Sequence, residues 1–305
     1  MVLDIMMPFY GRPDHFRLAV ESVLAQTSDN FRLVIVDDGY PDPEPERWVA
    51  SLNDPRITYI RNTTNLGVSG NFARCAELMT SEFGVIFGCD DVMLPGYVER
   101  VTQLLEQNPD VAMVQPGVGV IDSDGRRISP LADKVKAHYR GSATGTRVLG
   151  GEELAASLLR GNWAYFPSVV WRAETIQSIG FRLDLKVVQD VAMMMEIILA
   201  GGTMLVDDTE VFLYRRHTDS VSAKGGPDGS KFIEERELFW ATAARMRSRG
   251  WTTAARAASK YVSSRLHAMS DLPSAVRSGN PRSSRIILSH ILGLPYPKPR
   301  GASTP

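Results

Sequence analysis

Cysteine is nearly absent from this 305-residue sequence: only Cys75 and Cys89 occur, with no paired cysteine or histidine spacing. That excludes a disulfide framework and a structural zinc site, and two buried, reduced thiols of a cytoplasmic protein are the simplest reading. No apolar run reaches the ~18 residues of a bilayer-crossing helix, and the N-terminus lacks the basic-then-apolar layout of a secretion signal. Without export, the acceptor-like triplet Asn62-Thr63-Thr64 is read as a chance match in a loop. Net charge is almost missing too, with 34 Lys/Arg against 35 Asp/Glu. A chain this balanced, with 44% hydrophobic residues, is not disordered and buries a core the size of one large or two modest domains.

The overall balance hides a division. From Arg245 onward there are eleven Lys/Arg and one acid, Asp271, so the charge runs as −11 followed by +10. A basic C-terminus points to an anionic surface such as the inner membrane leaflet, or to an acidic partner. Helix contacts in a homodimer are the alternative. Neither an internal repeat nor a long low-complexity tract is present.

What the chain does contain is a rhythm. Val2–Met7 is a short apolar run closed by Pro8, and after Arg12-Pro13-Asp14 the residues Phe16, Ala19, Val20, Val23 and Leu24 recur at helical spacing. Phe31–Val36 reads as a second strand, followed by a Pro/Asp/Glu-rich surface loop at Pro41–Glu46. Ile57–Ile60, Phe83–Phe87 and Val111–Val114 are three further strands, with helices predicted over Asn71–Met79 and Pro95–Gln107. Such alternation implies a parallel sheet with helices on both faces, and ligands beyond the carboxyl ends of its strands. Past residue 115 the pattern changes to a hairpin, Val118–Asp122 with Arg126–Ile128, then a helix over Gly151–Arg160, a strand at Ser168–Trp171 and an apolar helix at Val191–Ala200. Two or three helices are predicted from Lys231 to about Ser270, and Arg282–Leu294 sets Ile286, Ile287, Leu288, Ile291 and Leu292 against Arg282 and Arg285.

Acidic pairs fall at strand ends: Asp37 and Asp38 after the second, Asp90 and Asp91 after the fourth. Around a nucleotide, one carboxylate accepts hydrogen bonds from base or ribose while another holds a divalent cation shared with phosphate oxygens. The same pairs also serve as turn formers and helix caps. The stretch Asn65 to Asn71, with Gly67, either exposes backbone N–H groups to a ligand or is a plain helix entry. Asp190, at the head of the apolar helix, either serves the helix dipole or accepts a proton. Trp163 and Tyr165 either stack on a sugar ring or bury as a pair, and Met193–Met195 reads as core filler.

Taken in order, "MMPFYGRP", "SVLAQT", "LVIVDDG", "NTTNLGVSGNF" and "FGCDDVMLPGYVER" resemble a family 2 glycosyltransferase with the GT-A fold, over roughly residues 2–220. The resemblance implies an α/β fold with a Rossmann-like, mostly parallel central sheet flanked by helices, here with a C-terminal helical extension. It implies inverting transfer of a single sugar from a nucleotide-diphosphate sugar, UDP- or dTDP-linked, to a hydroxyl of a glycan, glycolipid or cell-surface polysaccharide precursor. Pro8, Tyr10, Asp37, Asp38, Asn65, Gly67 and Asn71 are thereby placed around the nucleotide. "CDD" puts Asp90 at the ribose and Asp91 on Mn2+ or Mg2+, and "YRRHTDSVS" offers His217 as a further metal ligand and Arg215 and Arg216 for the diphosphate. Gln189-Asp190 matches the family's acid element, with Asp190 as catalytic base and Asp184 as its fallback. Trp163, Tyr165 and Gln189 fall near the acceptor, and glycine-rich "SAKGGPDGS" suits a lid. Gly88 stands where many relatives carry an acid. The Gln-x-x-Arg-Trp element of processive members is absent, so one addition per encounter is expected.

Three segments are expected: 1–115 as the nucleotide-sugar half, 116–230 as the acceptor-binding and catalytic half of the same domain, and 231–305 as a basic helical extension. The protein is expected in the cytoplasm, at the membrane face. A degenerate scaffold that binds nucleotide-sugar or glycan without turnover is the alternative that Gly88 and Gln189 permit. A sugar nucleotidyltransferase requires a glycine-rich loop bearing Arg and Lys, which "MPFYGRPDHF" does not supply. A dinucleotide dehydrogenase requires the third glycine that "GVGVID" lacks. Nucleic acid is not expected as a partner, because the positive charge lies only at the tail.

Overall fold

The computed structural model describes residues 1–141, 145–217 and 229–297. Strands and helices alternate first as β1 (Leu3–Phe9), α1 (Pro13–Leu24), β2 (Phe31–Asp37), α2 (Glu44–Leu52), β3 (Ile57–Arg61), α3 (Gly67–Glu77) and β4 (Phe83–Ile86). Then come β5 (Val92–Met93), α4 (Tyr97–Gln107), β6 (Met113–Ile121), α5 (Leu131–Arg140), β7 (Arg147–Leu149), α6 (Gly151–Gly161), β8 (Val170–Arg172), α7 (Ala173–Ile179), α8 (Gln189–Leu199) and β9 (Met204–Arg215). The first four strands are parallel, in the order β3-β2-β1-β4. β1 and β2 are apolar almost throughout because both faces are covered. Met6, Val34, Val36 and Ile86 join the core that α6 and α8 complete, while Ile5, Met7, Leu33 and Ile35 pack with α1 and α4 on the other side.

The sheet turns mixed beyond β4. β8 lies antiparallel to both β4 and β6, and β9 runs parallel to β6 while pairing antiparallel with β5 and β7. The β6–β9 ladder slips between Gln115 and Val118. Pro116 there has no N–H to give, and a Cβ on Gly117 would meet Thr209 O at 2.5 Å, so only glycine admits the approach. Past the slip, Leu213 reaches β5 and Arg215 reaches the loop after β4.

Four more helices follow, Ser230–Ser248, Thr252–Lys260, Val262–Arg277 and Pro281–Leu292. The first two are part of the main core: Leu238, Phe239, Ala243 and Met246 from one, Ala254, Ala255, Ala257 and Ala258 from the other. The last two enclose a small core of Phe232, Ala268, Ala275 and Ile287.

Several elements differ from the sequence expectation. The Pro41–Glu46 loop ends early, because Pro45 suits the first turn of α2. The hairpin after β6 shrinks to one bridge, Ile121 with Arg127, since the Asp122 carboxylate accepts from Asp124 and Arg126 N–H and closes a tight turn. α5, α7 and β9 were not anticipated. β9 holds Asp207 fully buried, where a paired guanidinium from Arg100 satisfies both its oxygens at 2.9 and 2.7 Å. Such a residue breaks the apolar pattern that marks a strand.

Candidate active site

In the strand order β2-β1-β4, the loops after β1 and β4 leave a crevice at the carboxyl ends. The two loops touch: a Cβ on Gly11 would meet Cys89 Sγ at 3.4 Å. Pro8 is part-buried at the end of β1, and Tyr10, 57% exposed, stands edge-on to Tyr40 at 5.8 Å between ring centres. Asp37 and Asp38 are both buried. Asp37 accepts from Tyr40 N–H at 2.7 Å and Tyr59 O–H at 2.9 Å. Asp38 accepts from the Leu66 and Gly67 N–H groups at 2.8 and 2.9 Å and from the Asn62 amide at 2.9 Å, so its carboxylate anchors the start of α3. Asn65 donates to Asp38 O, and Asn71 donates to Val36 O, closing the turn whose Gly67 has φ +72°. The seven residues expected around a nucleotide therefore lie in or beside one compact wall, and Asp38 is its organiser.

Across the crevice, Asp90 and Asp91 divide their work differently. Asp91 is 1% exposed; Oδ1 accepts from Arg215 N–H at 2.7 Å and Oδ2 has no protein partner. Burial, with the charge of Asp90 added, pushes the Asp91 carboxyl well above the usual carboxylate range. Asp90 is more open, and its Oδ2 lies 2.6 Å from His217 Nε2. A Cβ at Gly88 would meet Asp91 Oδ2 at 2.6 Å and Asp90 Oδ1 at 3.0 Å, so glycine is what lets both carboxylates fold back here. Arg215 is not directed at the crevice. Its guanidinium donates to Asp90 O, Asp122 O and Ser123 O, which ties two loops together. His15, missed in the sequence, donates from Nε2 to Ser123 O and packs edge-on against His217 at 5.4 Å.

Among the described residues, no three His, Cys, Asp or Glu side chains converge as a ligand set for a metal ion. The donors present still suit a cation that completes its shell elsewhere: a buried carboxylate oxygen without a donor, a second carboxylate and an imidazole. Mg2+ and Mn2+ are commonly held this way, by one or two protein carboxylates plus phosphate oxygens and water.

Asp190 lies in the first turn of α8, where Oδ1 accepts the Val191 N–H at 2.7 Å. Burial raises its pKa, and that N–H together with the charge of Lys136 draws it part of the way back. Lys136 comes from α5. Burial and the neighbouring Arg216 pull its ammonium down to about 8, and it rests 4.3 Å from the centre of the Tyr165 ring. Arg216 is held bidentate by Asp133 at 2.8 and 2.7 Å, and the same carboxylate accepts from Tyr165 O–H at 2.6 Å. Glu234, on the helix Ser230–Ser248, accepts from the Lys186, Val187 and Val188 N–H groups and so fixes the approach to α8. Neither Glu234 nor the α5 pair was legible, because nothing in their local sequence distinguishes them from other surface charges.

Three expectations need correction, the first being Arg215, whose guanidinium is committed to three backbone carbonyls and is not free for a diphosphate. Trp163 is 1% exposed and donates to Ser157, so its ring is core and offers no face to a sugar. Asp184 is exposed and paired with Arg182, away from the buried setting of Asp190. Gln189 is buried with Oε1 unpartnered beside Asp190. Of the lid segment 222–230, residues 222–228 lie outside the described residues.

Known proteins resemble this chain in both sequence and fold. An uncharacterised glycosyltransferase of Haemophilus influenzae is 34% identical over 115 residues, 37% of each chain. An Escherichia coli K12 protein named for colanic acid biosynthesis, the glycosyl transferase WcaA, is 37% identical over 91 residues, 30% of this chain and 32% of its own. These matches span about a third of the relatives' length. S. aureus TarS 1-349, solved with UDP-GlcNAc, superposes with a TM-score of 0.61 at 13% identity, covering 97% of this chain and 93% of that one. The mannosyltransferase PcManGT from Pyrobaculum calidifontis, solved with GDP-Man and Mn2+, gives 0.59 at 14% identity, covering 94% and 78%. These two likenesses establish the GT-A fold. The model for Glycosyl transferase family 2 matches residues 4–170, more than half of the chain, and the protein is a member of that family of glycosyltransferases.

Proposed function

We propose that this glycosyltransferase moves one sugar, with inversion, from a UDP- or dTDP-sugar to a hydroxyl of a glycan, glycolipid or cell-surface polysaccharide precursor at the inner membrane face. The observation that carries this reading is the presence of two buried carboxylates with different partners: Asp91, whose Oδ2 has none and is left for a cation, and Asp190, which accepts one backbone N–H at a helix start. Burial raises both, and a cation on Asp91 would ionise that one and leave Asp190 to accept a proton.

The wall built on Asp38 receives the nucleotide, with Tyr10 as an exposed ring for the base and the N-terminus of α3 beside it. Asp91 would hold Mn2+ or Mg2+ through its unpartnered Oδ2, with the hydrogen-bonded Asp90–His217 pair beside it. When bound, the cation neutralises charge that grows on the leaving diphosphate. Asp190 then takes the proton from the acceptor hydroxyl as that oxygen attacks the anomeric carbon. The charge of Lys136 opposes the burial that raises Asp190, Glu234 sets the loop before it, and Tyr165 with Gln189 borders the acceptor side.

Thermal melting with UDP, dTDP, GDP and CDP, with and without Mn2+, tests the donor half. The expected result is a Mn2+-dependent rise with UDP or dTDP, retained in Asp190→Asn and lost in Asp91→Asn. Sugar transfer by Asp190→Asn should fall by at least ~100-fold. In the intact enzyme kcat/KM should decline as pH falls through a value above the ordinary carboxylate range. A protein whose melting responds to none of the four nucleotides would overturn the proposal.

A further inference from the structure

The last two helices carry apolar side chains on the side turned away from the protein. In Val262–Arg277 the buried residues Ser264, Ala268 and Ala275 mark the inner side. Val262, Leu266, Met269 and Val276 follow at i, i+4, i+7 and i+14, which places them together on the opposite side. They are 45%, 54%, 55% and 59% exposed. The neighbouring helix Pro281–Leu292 repeats the arrangement, with Ile286, Ile287 and His290 buried and Leu288 and Leu292 outside.

Charge on this face has one sign. Arg277, Arg282 and Arg285 are exposed beside the apolar stripes, and none of the three forms an ion pair among the described residues. The single acid of the region, Asp271, is occupied by Lys231 at 2.7 Å. A solvent-facing helix normally spends its outer side on mixed charges; this one spends it on Val, Leu and Met rimmed by arginine.

We propose that the outer face of Val262–Arg277 and Pro281–Leu292 docks on an anionic lipid bilayer, with the helices in the plane of the interface, the apolar stripes at the acyl boundary and the arginines among the headgroups. No described helix is long and apolar enough to cross a membrane, so the contact is interfacial. A second copy of the chain fits poorly as the occupant. The same face on both partners would set like charges against each other, whereas anionic headgroups complement them. The inference specifies the surface behind the membrane contact but does not depend on the sugar-transfer reading, since binding to lipid is measured without donor or acceptor.

The test is co-sedimentation of the full chain with vesicles of phosphatidylcholine alone or mixed with phosphatidylglycerol. Two variants accompany the wild type, Leu266→Ser/Met269→Ser for the stripe and Arg277→Gln/Arg282→Gln/Arg285→Gln for the rim, each checked for an unchanged circular dichroism spectrum and melting point. Expected is sedimentation with the anionic vesicles only, weakened at least about tenfold by either variant and by salt near ~0.5 M. Wild-type protein that stays in the supernatant with both vesicle types overturns the proposal. So does binding that the stripe variant leaves unchanged. A concentration-dependent dimer in light scattering that the stripe variant abolishes would assign the face to self-association instead, and would equally overturn it.

Discussion

Removing the carboxylate of Asp38 takes an acceptor from three donors at once: two backbone N–H groups at the start of α3 and the Asn62 amide. Loss of such a buried acceptor costs about 1–3 kcal/mol, so Asp38→Ala should lower the urea midpoint by that equivalent as well as weaken nucleotide binding, while Asp38→Asn should lose less of both. Gly88→Ala makes a contrasting case. The added methyl would meet Asp91 Oδ2 at 2.6 Å, so the variant should keep its fold while its Mn2+-dependent melting shift shrinks. The acidic pairs were legible because strand ends followed by Asp-Asp are visible in one dimension. Their division of labour was not: the donors to Asp38 come from 24 to 29 residues downstream, and the Asp91 partner, Arg215, from 124. Trp163 misled for a related reason, since an aromatic ring next to Gly and Asn looks the same in sequence whether it faces a ligand or the core.

Among elements, the parallel half was readable from its periodicity, and boundaries moved by only a few residues at β1, β2 and α4. β9 and α5 escaped because their polar residues are answered from far away, Asp207 by Arg100 and Asp133 by Arg216. The helix Ser230–Ser248 contributes a buried polar chain with a pH signature. Ser264 is hydrogen-bonded to Glu235 and lies 2.7 Å from His290 Nε2, His290 Nδ1 is 2.7 Å from the Tyr296 hydroxyl, and that hydroxyl donates to Phe232 O at 2.7 Å. Every link has one donor and one acceptor either with Glu235 protonated and His290 neutral or with both charged, and burial favours the uncharged pair. Burial accordingly raises Glu235 to about 7 and holds His290 down to about 4. Because the folded pKa of Glu235 exceeds its ordinary 4.5, its contribution to stability is full below about 4.5 and is lost as pH rises towards about 7. His290 acts in the opposite sense between 6.5 and about 4. In Glu235→Gln the first component disappears. Its stability relative to wild type should therefore climb across pH 4.5 to 7 and level off about 3 kcal/mol higher, as read by denaturant unfolding at fixed pH values.

At the scale of the molecule, the charge division read from the sequence falls within the C-terminal helices: Ser230–Ser248 still carries Glu234, Glu235 and Glu237, while from Arg245 onward the one acid, Asp271, is paired with Lys231. The first two of those helices are also structural: they fill the main core and, through Glu234, hold the loop that leads to Asp190. A tail that composition alone would make an appendage is in this way built into the main core. The hydrogen bond from Arg215 N–H to Asp91 has a consequence for the order of events during synthesis. Four parallel strands are complete once residue 86 has left the ribosome, yet the strand that closes the crevice spans residues 204–215. Closing so distant a contact is slow compared with forming the local strand–helix units. The wall built on Asp38 is thus early and the hydrogen bond that fixes Asp91 late, so the proposed cation site is completed only when most of the polypeptide has been made.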